Sequence, residues 1–309
     1  MPEIKTVAVL GAGVMGNGIA HVAALAGYDV ILRDVEQRFL DNGLQRIRHN
    51  LARQVEHGEL SGDQAEGALA RIRLTTEMAA VAPADLVIEV VPEILALKQE
   101  TFRTLGELCS SEAVLASNTS TMSITEMAAH VPQPERVAGM HFTNPVHRMK
   151  FVELVRAYAT SEATLSLLGG VAERMGKETI TVNEAPGFAS SRLGIALGNE
   201  AMRMLEQGVA SAADIDKAMR LGYGHSMGPL ETADLVGLDT RLHNAEYLYQ
   251  ELGEPQFRPP LLLKKLVRAG RLGRKTGEGF YRYDARGHRI DSSADPSADP
   301  SADPREEVR

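Results

Sequence analysis

Apolar residues first gather in a short run, Val7-Ala8-Val9-Leu10, which stops at Gly11-Ala12-Gly13-Val14-Met15-Gly16. Small and apolar residues then continue through Ile19, Ala20, Val22, Ala23 and Ala24. This order predicts a strand, a tight turn and a buried helix. Gly27 closes the helix, and Asp29-Val30-Ile31-Leu32-Arg33-Asp34 supplies a second strand, completing a βαβ unit. Caps and helical spacing predict polar helices at about Glu36 to Val55 and Ser61 to Ala70, an excursion before the sheet resumes.

Strand patterns return at Ile72 to Thr75, Leu86 to Val91, Ala113 to Ala116, Val137 to Met140, Phe151 to Val155 and Thr179 to Val182. Helical patterns fall at Leu95 to Leu108 and Ser161 to Met175. The alternation predicts an α/β fold with a doubly wound sheet. Past Pro186 the apolar period changes to three and four. Helices are expected from Arg192 to Leu205, Ala212 to Leu221, Leu230 to Leu252 and Leu261 to Ala269, with Gly208, Gly222 and Gly270 at the breaks. The expected organisation is a doubly wound domain over residues 1–183 with a helical-hairpin insertion, an all-helical domain over 184–286, and a tail over 287–309. The tail contains Ser-Ala-Asp-Pro repeats starting at Ser293, Ser297 and Ser301. A proline at every fourth position, with almost no apolar content, predicts disorder there.

Composition narrows the function classes. A net charge of -8, with no basic patch, argues against a general affinity for nucleic acid or anionic membrane. The single Cys109 offers neither a disulfide framework nor a cysteine-ligated metal cluster, and no metal is expected. Met1-Pro2-Glu3-Ile4-Lys5 leads directly into a strand pattern without the regions of a secretory signal, and no apolar run is long enough to span a bilayer. A cytoplasmic location is expected.

The first βα turn carries the first candidate chemistry. Gly11 permits a tight turn, Gly13 lets backbone approach a pyrophosphate, and Gly16 allows close helix packing. The helix start, with Ala12, Val14 and Met15 between and after these glycines, adds unpaired N–H groups and a positive dipole end. Asp34 follows Gly11 at about the twenty-residue spacing of the acid that binds a ribose 2′-hydroxyl, which favours NAD over NADP. Arg33 and Arg38 leave some tolerance of NADP open, a flavin would use the same fingerprint, and Asp34 could instead cap the next helix.

The second candidate site lies at strand ends. Ser117-Asn118-Thr119-Ser120 ends one apolar run and His141-Phe142-Thr143-Asn144-Pro145 another, and the carboxyl ends of adjacent parallel strands open into one ligand-binding crevice. Glu153 alternates with Phe151, Val152, Leu154 and Val155, so burying it without a partner would be costly. Imidazole, with a pKa near working pH, suits His141 to accept a hydroxyl proton. The plainer readings are a structural histidine at a strand end and a Ser120 that caps a helix beginning near Ser123.

Taken together, Asn118-Thr119-Ser120, His141-Phe142-Thr143-Asn144-Pro145 and Lys150-Phe151-Val152-Glu153 resemble the L-3-hydroxyacyl-CoA dehydrogenase family. The resemblance runs from Val7 to about Tyr283 and includes Val91-Pro92-Glu93 with Lys98, Ala185-Pro186-Gly187-Phe188, Met227-Gly228-Pro229-Leu230-Glu231 and Gly273-Arg274-Lys275-Thr276-Gly277. The helical domain is most similar to the bacterial 3-hydroxybutyryl-CoA branch. The resemblance implies a Rossmann-type NAD-binding domain and an all-helical domain that serves substrate and makes a homodimer. It implies His141 as base, Glu153 as its orienting acid, Ser120 on the substrate oxygen, and Asn144, Glu93, Lys98 and Lys275 at the cofactor. Where the family has asparagine after Pro-Gly-Phe, this chain has Ser191, a shorter donor to a substrate carbonyl. Where the family binds coenzyme A through serine and lysine, it has Asn50 and His57, with Arg53 close by.

Other classes make different demands. Hydrolysis through Ser120, His141 and Glu153 would need a nucleophile elbow, and Asn118-Thr119-Ser120-Thr121-Met122 lacks its glycines. A dehydrogenase of a free hydroxy acid or sugar acid, and a non-catalytic dinucleotide-binding protein, are the remaining alternatives.

Overall fold

The computed structural model describes residues 3–290, so the Ser-Ala-Asp-Pro repeats lie outside the described residues. The chain divides into two compact units, the first ending at Phe188 and the second beginning at Ala189. Ala185-Pro186-Gly187-Phe188 therefore stays with the sheet, a few residues beyond the boundary expected at 183 and 184.

In the first unit the strands are β1 (Thr6–Leu10), β2 (Asp29–Arg33), β3 (Ile72–Thr75), β4 (Leu86–Glu89), β5 (Val114–Ser117), β6 (Val137–Phe142), β7 (Phe151–Arg156) and β8 (Glu178–Asn183). They form one sheet in the order β3-β2-β1-β4-β5-β6-β7-β8. The strands from β3 to β6 are parallel, but β7 runs antiparallel to β6, and β8 is parallel to β7. The reversal has a simple cause: the segment 143–150 is too short for the helical crossover that parallel neighbours need.

The helices of this unit are α1 (Val14–Leu25), α2 (Gln37–Glu56), α3 (Gly62–Ala70), α4 (Leu95–Leu108), α5 (Ile124–Ala128) and α6 (Glu162–Arg174). The pair α2 and α3 is the expected hairpin insertion. A capping box at Ser61 and Gln64 starts α3. Along α2 the buried positions Leu40, Gly43, Ile47 and Leu51 recur at helical spacing, so one face packs while the rest remains polar. Val7, Val9, Ile19, Leu32, Leu86 and Ile88 join that face in one core. The central strands are buried on both faces, as a sheet covered by helices requires.

The second unit holds α7 (Ser190–Glu206), α8 (Ala212–Tyr223), α9 (Pro229–Val236), α10 (Leu238–Leu252) and α11 (Leu261–Arg268). Two expectations change. The single helix predicted over 230–252 is two, broken at Gly237, whose φ of 101° a side-chain-bearing residue rarely adopts. Gly222, expected as a break, lies within α8. The predicted tail also begins too early, because β10 (Arg289–Ile290) pairs antiparallel with β9 (Arg282–Tyr283).

Candidate active site

At the end of β1 the glycines meet their steric requirements. Gly11 has φ 112°, and a Cβ there would stand 2.6 Å from the Val90 carbonyl oxygen. At Gly16 a Cβ would be 1.7 Å from the Gly11 carbonyl oxygen, so α1 could not approach the turn as closely with any other residue. Around Gly13 the case is opposite: a Cβ would meet nothing within 4 Å. That open space, with no side chain capping the start of α1, leaves the N–H groups of the first turn facing outward beside Val14 and Met15. Asp34 lies at the end of β2, where its Oδ2 accepts from the Ala12 N–H at 2.7 Å and its Oδ1 from the Val35 N–H at 2.7 Å. The residue at the cap of α2 is Glu36, so the capping alternative for Asp34 does not describe this fold. The turn and its acid fit a dinucleotide.

His141 and Glu153 are directly paired across β6 and β7. The His141 Nδ1 lies 2.8 Å from Glu153 Oε2, with Glu153 fully buried and the histidine side chain 12% exposed. An ionised carboxylate only accepts, so Nδ1 carries the proton and Nε2 remains the basic nitrogen. Phe188 packs against the imidazole at 6.0 Å between ring centroids. The antiparallel reversal thus creates this pair, since it turns the short 143–150 segment back and sets position 153 opposite 141.

Ser120 sits in the loop after β5. Asn118 Oδ1 accepts the Phe142 N–H at 2.8 Å, tying this loop to the end of β6 beside His141. The Ser120 hydroxyl makes no hydrogen bond among the described residues, and α5 is capped by Ser123, which accepts from the Glu126 N–H at 3.1 Å. The capping reading of Ser120 is thereby removed. No Ser120–His141 hydrogen bond, as a nucleophilic triad would require, is present among the described residues.

Lys98, expected at the cofactor, is buried. Its side chain is 1% exposed, and its ammonium lies 2.8 Å from Glu89 Oε1 and 3.1 Å from Glu93 Oε2. Burial alone would lower its pKa, but the two carboxylates outweigh burial and hold it above the ordinary range. Glu89 also accepts from the Val91 N–H at 2.7 Å and the Ser117 hydroxyl at 2.6 Å. Glu93, 29% exposed, accepts from the Thr119 hydroxyl. Lys98 therefore fixes Glu93 and the Ser117–Met122 loop from beneath. Glu89 was missed in the sequence, although an acid within the apolar run Leu86 to Val91 is the same signal that singles out Glu153.

A cleft of about 680 Å³ opens between α1, α2 and the segment after β6. Arg46, His49, Asn50, Asn144 and His147 are among its lining residues. Asn50 and Asn144 thus face one cleft, whereas Arg53 and His57 do not line it. Arg53 lies in the last turn of α2 and His57 is its C-cap, past the residues of α2 that line the cleft. Below the wall, His147 stacks on His21 at 5.7 Å with 13° between ring planes. Burial, reinforced by His147 and Lys177 and opposed by the Gln54 side chain, pushes His21 down to about 4. Neither His21 nitrogen has a hydrogen-bond partner among the described residues.

In the second unit, Ser191 lies in the first turn of α7, and Lys275 lies in the turn Arg274–Thr276. The Lys275 ammonium contacts both oxygens of Asp239, at 2.5 and 2.6 Å. Asp234 pins the following strand by accepting from the Phe280 and Tyr281 N–H groups and the Tyr283 hydroxyl, at 2.9, 3.0 and 2.9 Å. Asp216 accepts from the Leu230 and Glu231 N–H groups and the Tyr281 hydroxyl, at 2.8, 2.9 and 2.8 Å.

Residues 6–185 match the family model of the 3-hydroxyacyl-CoA dehydrogenase NAD-binding domain, and residues 187–283 match that of its C-terminal domain. The probable 3-hydroxybutyryl-CoA dehydrogenase of Bacillus subtilis is 45% identical over 282 residues, covering 91% of this chain and 98% of that one. The 3-hydroxybutyryl-CoA dehydrogenase of Bradyrhizobium diazoefficiens is 45% identical over 280 residues, covering 91% and 96%. The crystal structure of (S)-3-hydroxybutyryl-CoA dehydrogenase from Ralstonia eutropha superposes with a TM-score of 0.87 at 39% identity, covering 91% of this chain and 100% of that chain. The chain belongs to the 3-hydroxyacyl-CoA dehydrogenase family, with an NAD-binding amino-terminal domain and a helical carboxy-terminal domain.

Proposed function

We propose that the chain interconverts a short-chain (3S)-3-hydroxyacyl-CoA and its 3-oxoacyl-CoA, with His141 as general base. The observation that carries this reading is the His141–Glu153 pair at 2.8 Å, at the end of the strand next to the Ser120 loop. NAD, when bound at Gly11 to Gly16 and Asp34, supplies the hydride acceptor. Nε2 of His141 takes the proton of the substrate hydroxyl, and Glu153 stabilises the imidazolium that results. The unbonded Ser120 hydroxyl donates to the substrate oxygen, and Ser191 donates to the acyl carbonyl. Lys98 acts at one remove by holding Glu93, while Asn144 and Lys275 contact the cofactor.

Coenzyme A fits the cleft of the first unit, where Arg46, His49 and Asn50 supply charge and hydrogen bonds for its phosphates and amides. The chain works as a homodimer through the helices of its second unit, in the cytoplasm. The test is NADH oxidation against acetoacetyl-CoA, longer 3-oxoacyl-CoAs and free acetoacetate. Turnover of the short thioester alone is the expected result; equal turnover of free acetoacetate would move the protein to the free-acid class.

A further inference from the structure

Among the described residues, Phe188 is the only one other than glycine with a left-handed backbone, at φ 48°. A bulky side chain is unfavourable there, and glycine would meet the same backbone demand without steric cost. The retained strain points to a use for the ring. Phe188 is 4% exposed, and its ring centroid lies 6.0 Å from that of the His141 imidazole with the planes 59° apart, the range of tilted aromatic pairs.

The ring is held from within the sheet unit. The Phe188 N–H donates to the Ala185 carbonyl oxygen at 2.9 Å, closing a turn with Pro186 and Gly187 at its centre. Proline presets the first central position, and Gly187, at φ 76°, takes the left-handed second one. Just before the turn, the Glu184 N–H donates to the Arg156 carbonyl oxygen at 2.8 Å and extends the β7–β8 ladder by one residue. The Glu184 carboxylate reaches sideways to the start of α5. Its two oxygens accept from the Thr125 N–H at 3.1 and 3.2 Å, satisfying a donor that the helix leaves unpaired, and one also accepts from the Thr125 hydroxyl. That hydroxyl oxygen accepts in turn from the Tyr158 N–H at 3.0 Å. Because α5 follows the Ser120 loop, one carboxylate joins the exit of that loop to the segment that carries the ring.

The bond from His141 Nδ1 to Glu153 fixes the tautomer, but a single hydrogen bond leaves the imidazole free to pivot about it. A second contact is needed to aim Nε2, and the Phe188 ring supplies one. We propose that Phe188 is a positioning residue that aims Nε2 of His141, and that Glu184 is its anchor. The inference rests on the reading of His141 as general base.

The test measures kcat, both KM values and the urea unfolding midpoint with (3S)-3-hydroxybutyryl-CoA and NAD, on the full-length chain. Phe188→Ala should lower kcat by roughly tenfold to a hundredfold, the scale of a misplacement of about 1 Å, with both KM values near native. The solvent deuterium effect on kcat should rise, because transfer of the hydroxyl proton is the step that slows. Glu184→Ala should lower kcat in the same way, and Glu184→Gln, which keeps an acceptor for the Thr125 N–H, should restore most of it. The double variant of Phe188→Ala and Glu184→Ala should be no slower than Phe188→Ala alone, because the anchor acts through the ring. An unchanged kcat in Phe188→Ala would overturn the proposal, as would a solvent effect equal to the native one. Losses that multiply in the double variant, or a fall in kcat accompanied by a rise in both KM values, would also overturn it by assigning a general structural role. If Phe188→Ala does not fold, Phe188→Leu, which keeps bulk without the ring plane, takes its place in each comparison. A native chain that does not turn over the thioester, or a His141→Gln variant as active as the native chain, would instead overturn the reading on which the proposal rests.

Discussion

In the sheet unit two buried acids are met by cationic or imidazole side chains, Glu153 by His141 and Glu89 by Lys98, whereas in the helical unit Asp216 and Asp234 are met by backbone N–H groups and tyrosine hydroxyls. Arg241 has a single backbone carbonyl. The difference separates two uses of buried charge. Side-chain pairs at strand ends set the direction of groups that the proposed function places at substrate and cofactor. Backbone-held aspartates fix a chain reversal, here the turn and strand from Gly273 to Tyr283 that carry Lys275.

The comparison breaks first at Glu153. If the pair directs His141, Glu153→Ala should lower turnover by roughly a hundred- to ten-thousandfold while NADH affinity persists, because His141 loses its fixed tautomer. An unperturbed rate would leave Glu153 as a fold residue of the same kind as Asp234. Next is Lys98→Met, which strands Glu89 without its cation and should cost about 3–5 kcal/mol of stability in denaturant unfolding. Unaltered stability would show that the Ser117 hydroxyl and Val91 N–H suffice for Glu89.

Acid should then move the two units in opposite directions. His21 has its folded pKa near 4, below the ordinary 6.5, so the unfolded chain takes up a proton first as pH falls through that window. The sheet unit should lose on the order of 3 kcal/mol between pH 6.5 and 4. Asp234 is raised by burial, against its hydrogen bonds, from 3.8 to about 6. Its folded form protonates first, so the helical unit should gain on the order of 3 kcal/mol as pH falls from 6 to 3.8. Hydrogen exchange resolved by unit should show the opposed slopes, each lost in His21→Gln or Asp234→Asn; parallel slopes in the native chain, or slopes unchanged in the variants, would contradict the assignment. The smallest expected change is Ser191→Asn, which restores the family's longer donor and should shift KM for acetoacetyl-CoA by no more than about tenfold.

How far the sequence could be read follows the same division. Gly11, Gly13, Gly16 and Asp34 were legible because each residue type answers a local steric or chemical demand within one βαβ unit. Glu153 was legible because an acid in an apolar strand needs a partner, and the same logic applied to Glu89 would have found the network beneath Lys98. Lys98 was placed at the cofactor by the resemblance, and nothing in the α4 sequence reveals its pairing with Glu89. Asp216, Asp234 and Arg241 sit on helices at spacings that suit solvent as well as core, so only the packing of α7 to α10 distinguishes them. The break at Gly237 had a local sign, a glycine followed by Leu238-Asp239, yet the apolar period carried across it.

The central claim is that His141 moves the proton. It is tested most directly by His141→Gln, measuring NADH affinity by fluorescence titration and kcat on acetoacetyl-CoA in the same preparation. The account predicts retained NADH affinity with turnover lowered roughly a hundred- to ten-thousandfold; turnover equal to that of the native chain would remove His141 from the mechanism.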